Sequence, residues 1–336
     1  MAKSVNSSWA RRAGGDIARM GMSWWYGRRA LATLLPKKPQ LVYERMAALQ
    51  CLGRHFQRAG IPWVLETNGM HYEEASKDRK SMAFTGIARR IELAALRRAD
   101  LIVTITEALK TRVIAETGLA AGRILVVPNG VDPERFPRLS RQTPSTDSVS
   151  IGFIGTMIPW QGLDLLLTAV ARVQAMGAAR FRLELAGDGP ARAEAEATAR
   201  KHAIDAHFHG SIPHHRVADF LADVHVGYSG QRNFSGGVMY GSPLKLYEYG
   251  ICGIPFIASD HIDAVALAAE NRHGFLFRSD DEDDLVRCLL EVWEKRHNLR
   301  TMGEQFREII VREHSWDARV SLFADAIRNL VPTARL

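Results

Sequence analysis

Gly241-Ser-Pro-Leu-Lys-Leu-Tyr-Glu-Tyr-Gly-Ile-Cys-Gly-Ile-Pro-Phe-Ile-Ala-Ser259 is the stretch on which the reading of this 336-residue chain turns. A tight polar turn leads into a short helix bearing Lys245 and Glu248. A Gly-x-Pro break follows at Gly253 and Pro255, and a buried strand comes last. A turn of this kind offers unbonded backbone N–H groups and the positive end of the helix dipole, which together suit a phosphate. Lys245 adds a full positive charge, and Glu248, three residues on, shares roughly the same helix face. A carboxylate so placed accepts hydrogen bonds from vicinal hydroxyls such as those of a ribose. The combination points to a nucleoside-diphosphate site. The plainer alternative is a surface helix with a solvated Lys–Glu pair.

Around this segment the chain is organised as a parallel α/β protein. From residue 41 onward short apolar runs alternate with helical patterns. Strands are expected at 41–43, 63–66, 101–105 and 124–127 in a first domain. A second domain carries strands at 150–154, 182–186, 208–209, 224–228, 255–258 and 275–277, with helices at 163–176 and 190–202 among those between them. The acidic turn 280–284 opens a helix through Trp293, where carboxylates complement the dipole. The polar, unperiodic stretch 138–147 is the expected boundary, giving domains at 1–140 and 148–317. A closing helix over 318–336 is expected to leave the second domain and join the first. Its positions Val320, Phe323, Ala324, Ile327 and Leu330 are spaced for one buried face.

Apolar residues make up 46% of the chain and charged residues 24%, the balance of a soluble globular protein. Cys51, Cys252 and Cys288 are widely spaced and form no metal-ligand pattern, which favours structural thiols in a reducing compartment. Neither a membrane-spanning apolar run nor a secretory leader is read, so a cytoplasmic location is expected. Residues 1–140 hold 23 Lys/Arg against 12 Asp/Glu, a balance of +11, while the remainder balances at −4. A basic first half attracts nucleic acid, anionic lipid or a phosphorylated acceptor. Without an RNP motif, a helix-turn-helix signature or a zinc finger, nucleic acid ranks last. A helix over 17–35 carries Trp24, Trp25 and Tyr26 among Arg19, Arg28 and Arg29. Such a helix lies at an anionic membrane surface or packs its tryptophans under the sheet as core. The segment 83–98 is a second basic amphipathic candidate.

The opening stretch closely resembles the donor-site helix of the retaining GT4-type glycosyltransferases, which often reads S-P-L-K-x-x-E-Y-x-x-x-G-x-P. Further stretches are similar to the same family in the same order: Leu125-Val-Val-Pro-Asn-Gly-Val-Asp132, Ile151-Gly-Phe-Ile-Gly-Thr-Met-Ile-Pro-Trp-Gln-Gly-Leu-Asp164, Leu183-Glu-Leu-Ala-Gly-Asp-Gly-Pro190, Phe208-His-Gly-Ser-Ile-Pro213 and Ser315-Trp316. The resemblance implies a GT-B fold of two Rossmann-like domains facing across a cleft. The first domain takes the acceptor, the second takes a nucleotide-sugar donor, and no metal or other cofactor is needed. The match begins near Gln40, so the first domain is expected to be shortened at its start.

Carried over residue by residue, the resemblance gives Lys245 to the departing diphosphate and Glu248 to ribose hydroxyls. Backbone N–H groups of Ser242, Pro243's turn and Leu244 assist; Gly155, Thr156 and Gly187 lie at the strand ends beside the phosphates, and Gly236-Gly237 brings backbone to the sugar. Asn68 stands where many relatives have a catalytic His, with Glu66 and His71 nearby; it orients a hydroxyl but transfers no proton. Glu44 and Arg45 end the preceding strand, facing the cleft or pairing with each other.

Three departures stand out. The family's first acid, eight residues before Glu248, is Tyr240, and two positions often occupied by cations are Thr156 and Gln161, leaving Arg232 as a replacement cation or an exposed side chain. The expected reaction moves a sugar onto a glycan or polyprenyl-phosphate-linked acceptor in bacterial surface polysaccharide assembly. Rivals are a nucleotide-sugar epimerase or hydrolase and a catalytically inert GT-B partner.

Overall fold

The computed structural model describes residues 2–78, 81–136, 148–232, 244–268 and 272–330. Its chain divides into two compact units, Met1–Pro128 with Val320–Leu336, and Asn129–Arg319. The expected linker 138–147 lies outside the described residues.

The first unit is built on four parallel strands, β1 (Val42–Arg45), β2 (Trp63–Thr67), β3 (Leu101–Thr104) and β4 (Ile124–Val126), adjacent in that order. Every residue of β3 is buried, the pattern of a strand covered on both faces. The second unit holds β5 (Val149–Ile154), β6 (Phe181–Ala186), β7 (Ala206–Gly210), β8 (Val226–Ser229), β9 (Phe256–Ser259) and β10 (Gly274–Phe277). Their spatial order is β10-β9-β8-β5-β6-β7, all parallel. That is the doubly wound order of a dinucleotide-binding sheet, with its switch point between β5 and β8. Ligands enter such sheets at the carboxyl ends of the strands flanking that point. All ten strands fall on the apolar runs expected to form them, with ends displaced by no more than two residues.

Both faces of the second sheet are covered by apolar layers. One contains Ile151, Phe153, Leu166, Leu183, Leu185 and Leu289; the other contains Leu221, Leu246, Tyr249, Phe256, Phe306 and Ile310. The helix Glu282–Glu294 opens on the expected acidic turn, with Asp281 Oδ1 accepting from Asp284 N at 2.9 Å. In the first unit, Val64, Leu101 and Val103 pack with Ile327 from the closing helix Trp316–Leu330. Phe323 and Leu330 pack beside them, but Val320 is 58% exposed. Its neighbour Arg319 is buried instead, held by the Asn129 carbonyl at 3.4 Å and by His314, so the apolar stripe starts one turn later than the spacing suggests.

The chain opens with the helix Ala2–Leu34, longer than the 17–35 expected. Trp24 and Trp25 are 53% and 46% exposed, which overturns the alternative that they form core under the sheet. The inward face carries Ala13, Asp16 and Ser23 instead, small or polar residues that let the helix lie close. Asp16 Oδ2 accepts from Ala83 N at 2.8 Å and Phe84 N at 2.9 Å, and its Oδ1 pairs with Arg19. Burial pushes this carboxyl up, but the hydrogen bonds from Phe84, Arg19 and Ala83 outweigh it and leave it below the ordinary aspartate value. Replacing Asp16 with Ala leaves two part-buried N–H groups unmet and should cost about 1–2 kcal/mol of stability. Because the folded carboxyl is depressed, this contribution is present above the unfolded value and disappears as pH falls through the folded one. Urea denaturation of wild type and Asp16→Ala at pH 7 and in acid checks both points; equal stability at pH 7 would contradict the assignment.

Candidate nucleotide site

The site forms at the carboxyl ends of β5 and β6. Gly155, just after β5, donates its N–H to Ala186 O at 3.0 Å, and Met157 N reaches Asp188 O at 2.8 Å. The turns after the two strands are thereby zipped together. At Gly187, φ is +132°, and a Cβ there would lie 1.8 Å from the Gly155 carbonyl oxygen, so only glycine fits. The same close approach explains the Gly-Asp-Gly run from Gly187 to Gly189 at this strand end.

Lys245 lies in the first turn of the helix Leu244–Ile251 and is buried. Its ammonium donates to Gln161 Oε1 and stands 4.3 Å from the centroid of the Phe153 ring. Gly155 lies beside it in van der Waals contact range, its φ of +142° being one that favours glycine. Among the described residues the ammonium is met by an amide oxygen and a ring face rather than by a paired carboxylate. Burial drives its pKa down to about 7, partly opposed by Glu248. A cation held at a strand end with its charge uncompensated is well placed for an anionic group entering from outside.

Glu248 opens onto a cavity of about 270 Å³ lined by Val131, Asp132, Phe136, His214, Leu244 and Trp316. Its Oε1 is 4.0 Å from His214 Nε2, and burial raises its carboxyl to about 6, opposed by Lys245. A larger cavity of about 630 Å³ lies at the β6–β7 face, between Arg182, Glu184, His207, His209 and Asp219. Glu184, His209, Ile212 and Pro213 belong to the family-like stretches, but none of the candidate site residues lines it. Its charges largely satisfy one another, with Arg182 2.9 Å from Glu184 and His209 2.5 Å from the same carboxylate. The smaller cavity is the one onto which a candidate residue, Glu248, opens.

The remaining candidates are placed as follows. Thr156 is exposed beside Gly155. Leu244 is half exposed at the mouth of the smaller cavity. Arg232 is bound to Asp164 at 2.7 Å and lies 3.1 Å from Asp280, while its backbone N–H reaches Trp160 O at 2.8 Å. It thus ties the β8 loop to the β5 loop, and two carboxylates already neutralise its charge. Gly236, Gly237, Tyr240, Ser242 and Pro243 lie outside the described residues.

Asn68 belongs to the first unit, at the end of β2, and is treated there by itself. With its amide oriented by its partners, it donates to Glu66 Oε1 at 3.0 Å and accepts from Arg45 Nη2 at 2.6 Å. Glu44 does not pair with Arg45. It is buried and accepts from Leu52 N and Gly53 N, each at 2.7 Å, so it holds a turn. The carboxylate of Glu92 similarly accepts from His71 N at 3.0 Å and Tyr72 N at 2.9 Å, fixing the segment after Asn68. Sequence reasoning missed Phe153, Phe136, His214 and Glu92. Aromatic and acidic residues at unremarkable spacings carry no signal until strand ends are brought together.

Two family descriptions match the chain side by side: glycosyltransferase family 4 over residues 10–135 and glycosyl transferases group 1 over residues 148–295. The 2-deoxystreptamine glucosyltransferase of Streptomyces kanamyceticus is 31% identical over 177 residues, covering 48% of this chain and 46% of the relative. The D-inositol 3-phosphate glycosyltransferase 2 of Catenulispora acidiphila is 25% identical over 255 residues, covering 70% and 58%. The matches thus span about half of the length of each of these two relatives. Among solved structures, sucrose-phosphate synthase from Thermosynechococcus elongatus superposes with a TM-score of 0.71 at 18% identity over 94% of this chain and 79% of its own. Anabaena HepE in complex with UDP gives 0.70 at 16% identity over 90% and 81%. At these identities the structural likeness shows the fold, two Rossmann-like units of the GT-B class.

Proposed function

We propose that this chain, which belongs to the GT4-type glycosyltransferases, is a retaining transferase that moves a sugar from a nucleotide-diphosphate donor to a glycan or lipid-linked acceptor. One observation carries the reading. The buried ammonium of Lys245 stands at the end of β5 beside Gly155, and Glu248 on the same helix opens onto an adjoining cavity. Phosphate oxygens at Lys245 and ribose hydroxyls at Glu248 would be engaged by one nucleotide. Departure of the diphosphate builds negative charge, and a fixed cation in a site without competing water stabilises that charge most strongly as it develops. Asn68, just after β2, and Arg45, at the end of β1, are the acceptor-side groups of the reading. The unit with β5–β10 takes the donor, and the unit with β1–β4 takes the acceptor. Bacterial surface polysaccharide assembly at the inner face of the cell membrane is the setting that the basic first half supports.

A second reading has its own observation. Arg232 is already neutralised by Asp164 and Asp280, so among the candidate residues none replaces the cations absent at Thr156 and Gln161, which favours an inert partner that binds nucleotide without turnover. A screen of UDP-, GDP- and ADP-sugars with candidate acceptors separates the two. Transfer with the donor's anomeric configuration kept, read by proton NMR, is the expected result. Inversion would remove the retaining assignment, and binding without transfer or hydrolysis would favour the inert partner.

A further inference from the structure

The N-terminal helix presents a face that no described residue of its own unit covers. Along Ala2–Leu34 the inward residues Ala13, Asp16, Ser23 and Gly27 recur at helical spacing. Ser23 Oγ accepts from Cys51 N at 3.2 Å, and Asp16 holds Ala83 and Phe84. The rest of its circumference carries Ile17, Met22, Trp24, Trp25 and Tyr26, all between 46% and 61% exposed, with Met22 and Trp25 opposite the inward residues, Ile17 and Trp24 on one flank and Tyr26 on the other. Large apolar side chains left in water along one helix call for a partner.

The charges say which partner. Arg28 lies over the Trp24 ring at 5.0 Å and Arg29 over the Trp25 ring at 5.1 Å. Arg11 is exposed on the helix, and Lys37 and Lys38 are exposed just beyond it. Asp16 is the sole acid in the first forty residues, and it is buried and spent on the backbone N–H groups of Ala83 and Phe84. The outer face therefore offers aromatic rings and guanidinium groups without a single carboxylate. These groups follow the helix axis, a line of about 26 Å from Ile17 to Leu34 at 1.5 Å per residue. Such a line suits a flat sheet of phosphates rather than a pocket, which would take one anchor. Rings at headgroup depth with cations meeting phosphate is the arrangement of an interfacial helix.

We propose that the outer face of the helix Ala2–Leu34 docks on a bilayer containing anionic lipid, lying in the plane of the headgroups. Docking rests on the transferase reading only for its purpose, the delivery of a lipid-linked acceptor; the contact itself needs no nucleotide. The helix lies flat and does not cross the membrane: no helix among the described residues is long and apolar enough to span it.

The test is co-sedimentation of the full-length protein with vesicles of phosphatidylcholine containing increasing phosphatidylglycerol. Bound protein should rise with the anionic fraction and fall as salt increases, because surface charge is screened within about 10 Å at 0.1 M. Trp24→Ser with Trp25→Ser should weaken vesicle binding by about tenfold or more and shift the melting temperature little, since about half of each side chain is already in water. Arg28→Gln with Arg29→Gln should flatten the salt dependence. Equal binding to uncharged vesicles, or full binding by the tryptophan variant, would overturn the proposal. So would a dimer in sedimentation velocity that dissociates in the tryptophan variant, because the face would then belong to a second copy. UDP, GDP and ADP binding is measured on the same samples. Wild-type protein that binds nucleotide but no vesicle sinks this inference alone, whereas wild-type protein that binds vesicles but no nucleotide sinks the transferase reading alone.

Discussion

Lys245→Met should reduce nucleoside-diphosphate affinity by about a hundredfold and raise the melting temperature of the unliganded protein. The two effects share one cause. The ammonium is buried against Phe153 and Gln161, where desolvation drives its pKa to about 7, so the free protein bears the cost of holding a cation in a dry place. Methionine fills the same volume without that cost, and stability should rise by about 1–2 kcal/mol, a few degrees for a unit of this size. Bound phosphate would compensate the cation, and charge-assisted hydrogen bonds of this type are worth about 1.5–3 kcal/mol. Glu248→Ala should cost about tenfold, because its half-buried carboxylate takes neutral hydroxyls. Calorimetric titration with UDP, GDP and ADP, beside thermal melts, checks the pair of effects. Unchanged affinity in both variants with intact circular dichroism would remove Lys245 and Glu248 from the site. A lower melting temperature for Lys245→Met would show that the lysine is a structural element of the loop after β5.

What the sequence disclosed and what it hid follow from the range of the forces involved. β5, β8, β9 and β10 were legible because strands buried on both faces are mostly apolar, and β6 because its apolar residues alternate with Arg182 and Glu184; glycine is demanded at Gly187 by backbone contact and favoured at Gly155 by a φ of +142°. Lys245 and Glu248 were legible because their spacing sits within one helical turn. The fate of Arg232 was not: its partners Asp164 and Asp280 lie 68 and 48 residues away, and only the fold brings them within 2.7 and 3.1 Å. Gln161 illustrates the same limit. As a sequence position it is a lost positive charge, whereas in the structure its amide oxygen receives the ammonium of Lys245. Trp24 and Trp25 were ambiguous for a different reason. An amphipathic pattern fixes which residues share a face but leaves open which face turns inward, and here the small residues Ala13, Ser23 and Gly27 took that side.

Nucleotide affinity should also depend steeply on pH. In the free protein Lys245 loses its proton near pH 7, because burial disfavours the charged form. A diphosphate beside it favours the charged form, so the pKa in the complex lies above the free value. Linkage then fixes the sign. Below pH 7 the lysine is protonated in both states and the affinity is insensitive to it. Above pH 7 the free form must take up a proton to bind, and affinity falls by up to tenfold per pH unit until the pKa of the complex is reached. Glu248 acts in the opposite sense: its carboxyl, raised to about 6 by burial, is favoured as carboxylate by ribose hydroxyls, so affinity should weaken as pH drops below 6. The optimum should therefore lie between about pH 6 and 7. Calorimetry of UDP binding in two buffers of different ionisation enthalpy at pH 8 should register proton uptake of up to one per nucleotide, and none in Lys245→Met. Affinity that is flat from pH 7 to 9, or uptake that persists in the variant, would place the phosphates away from Lys245.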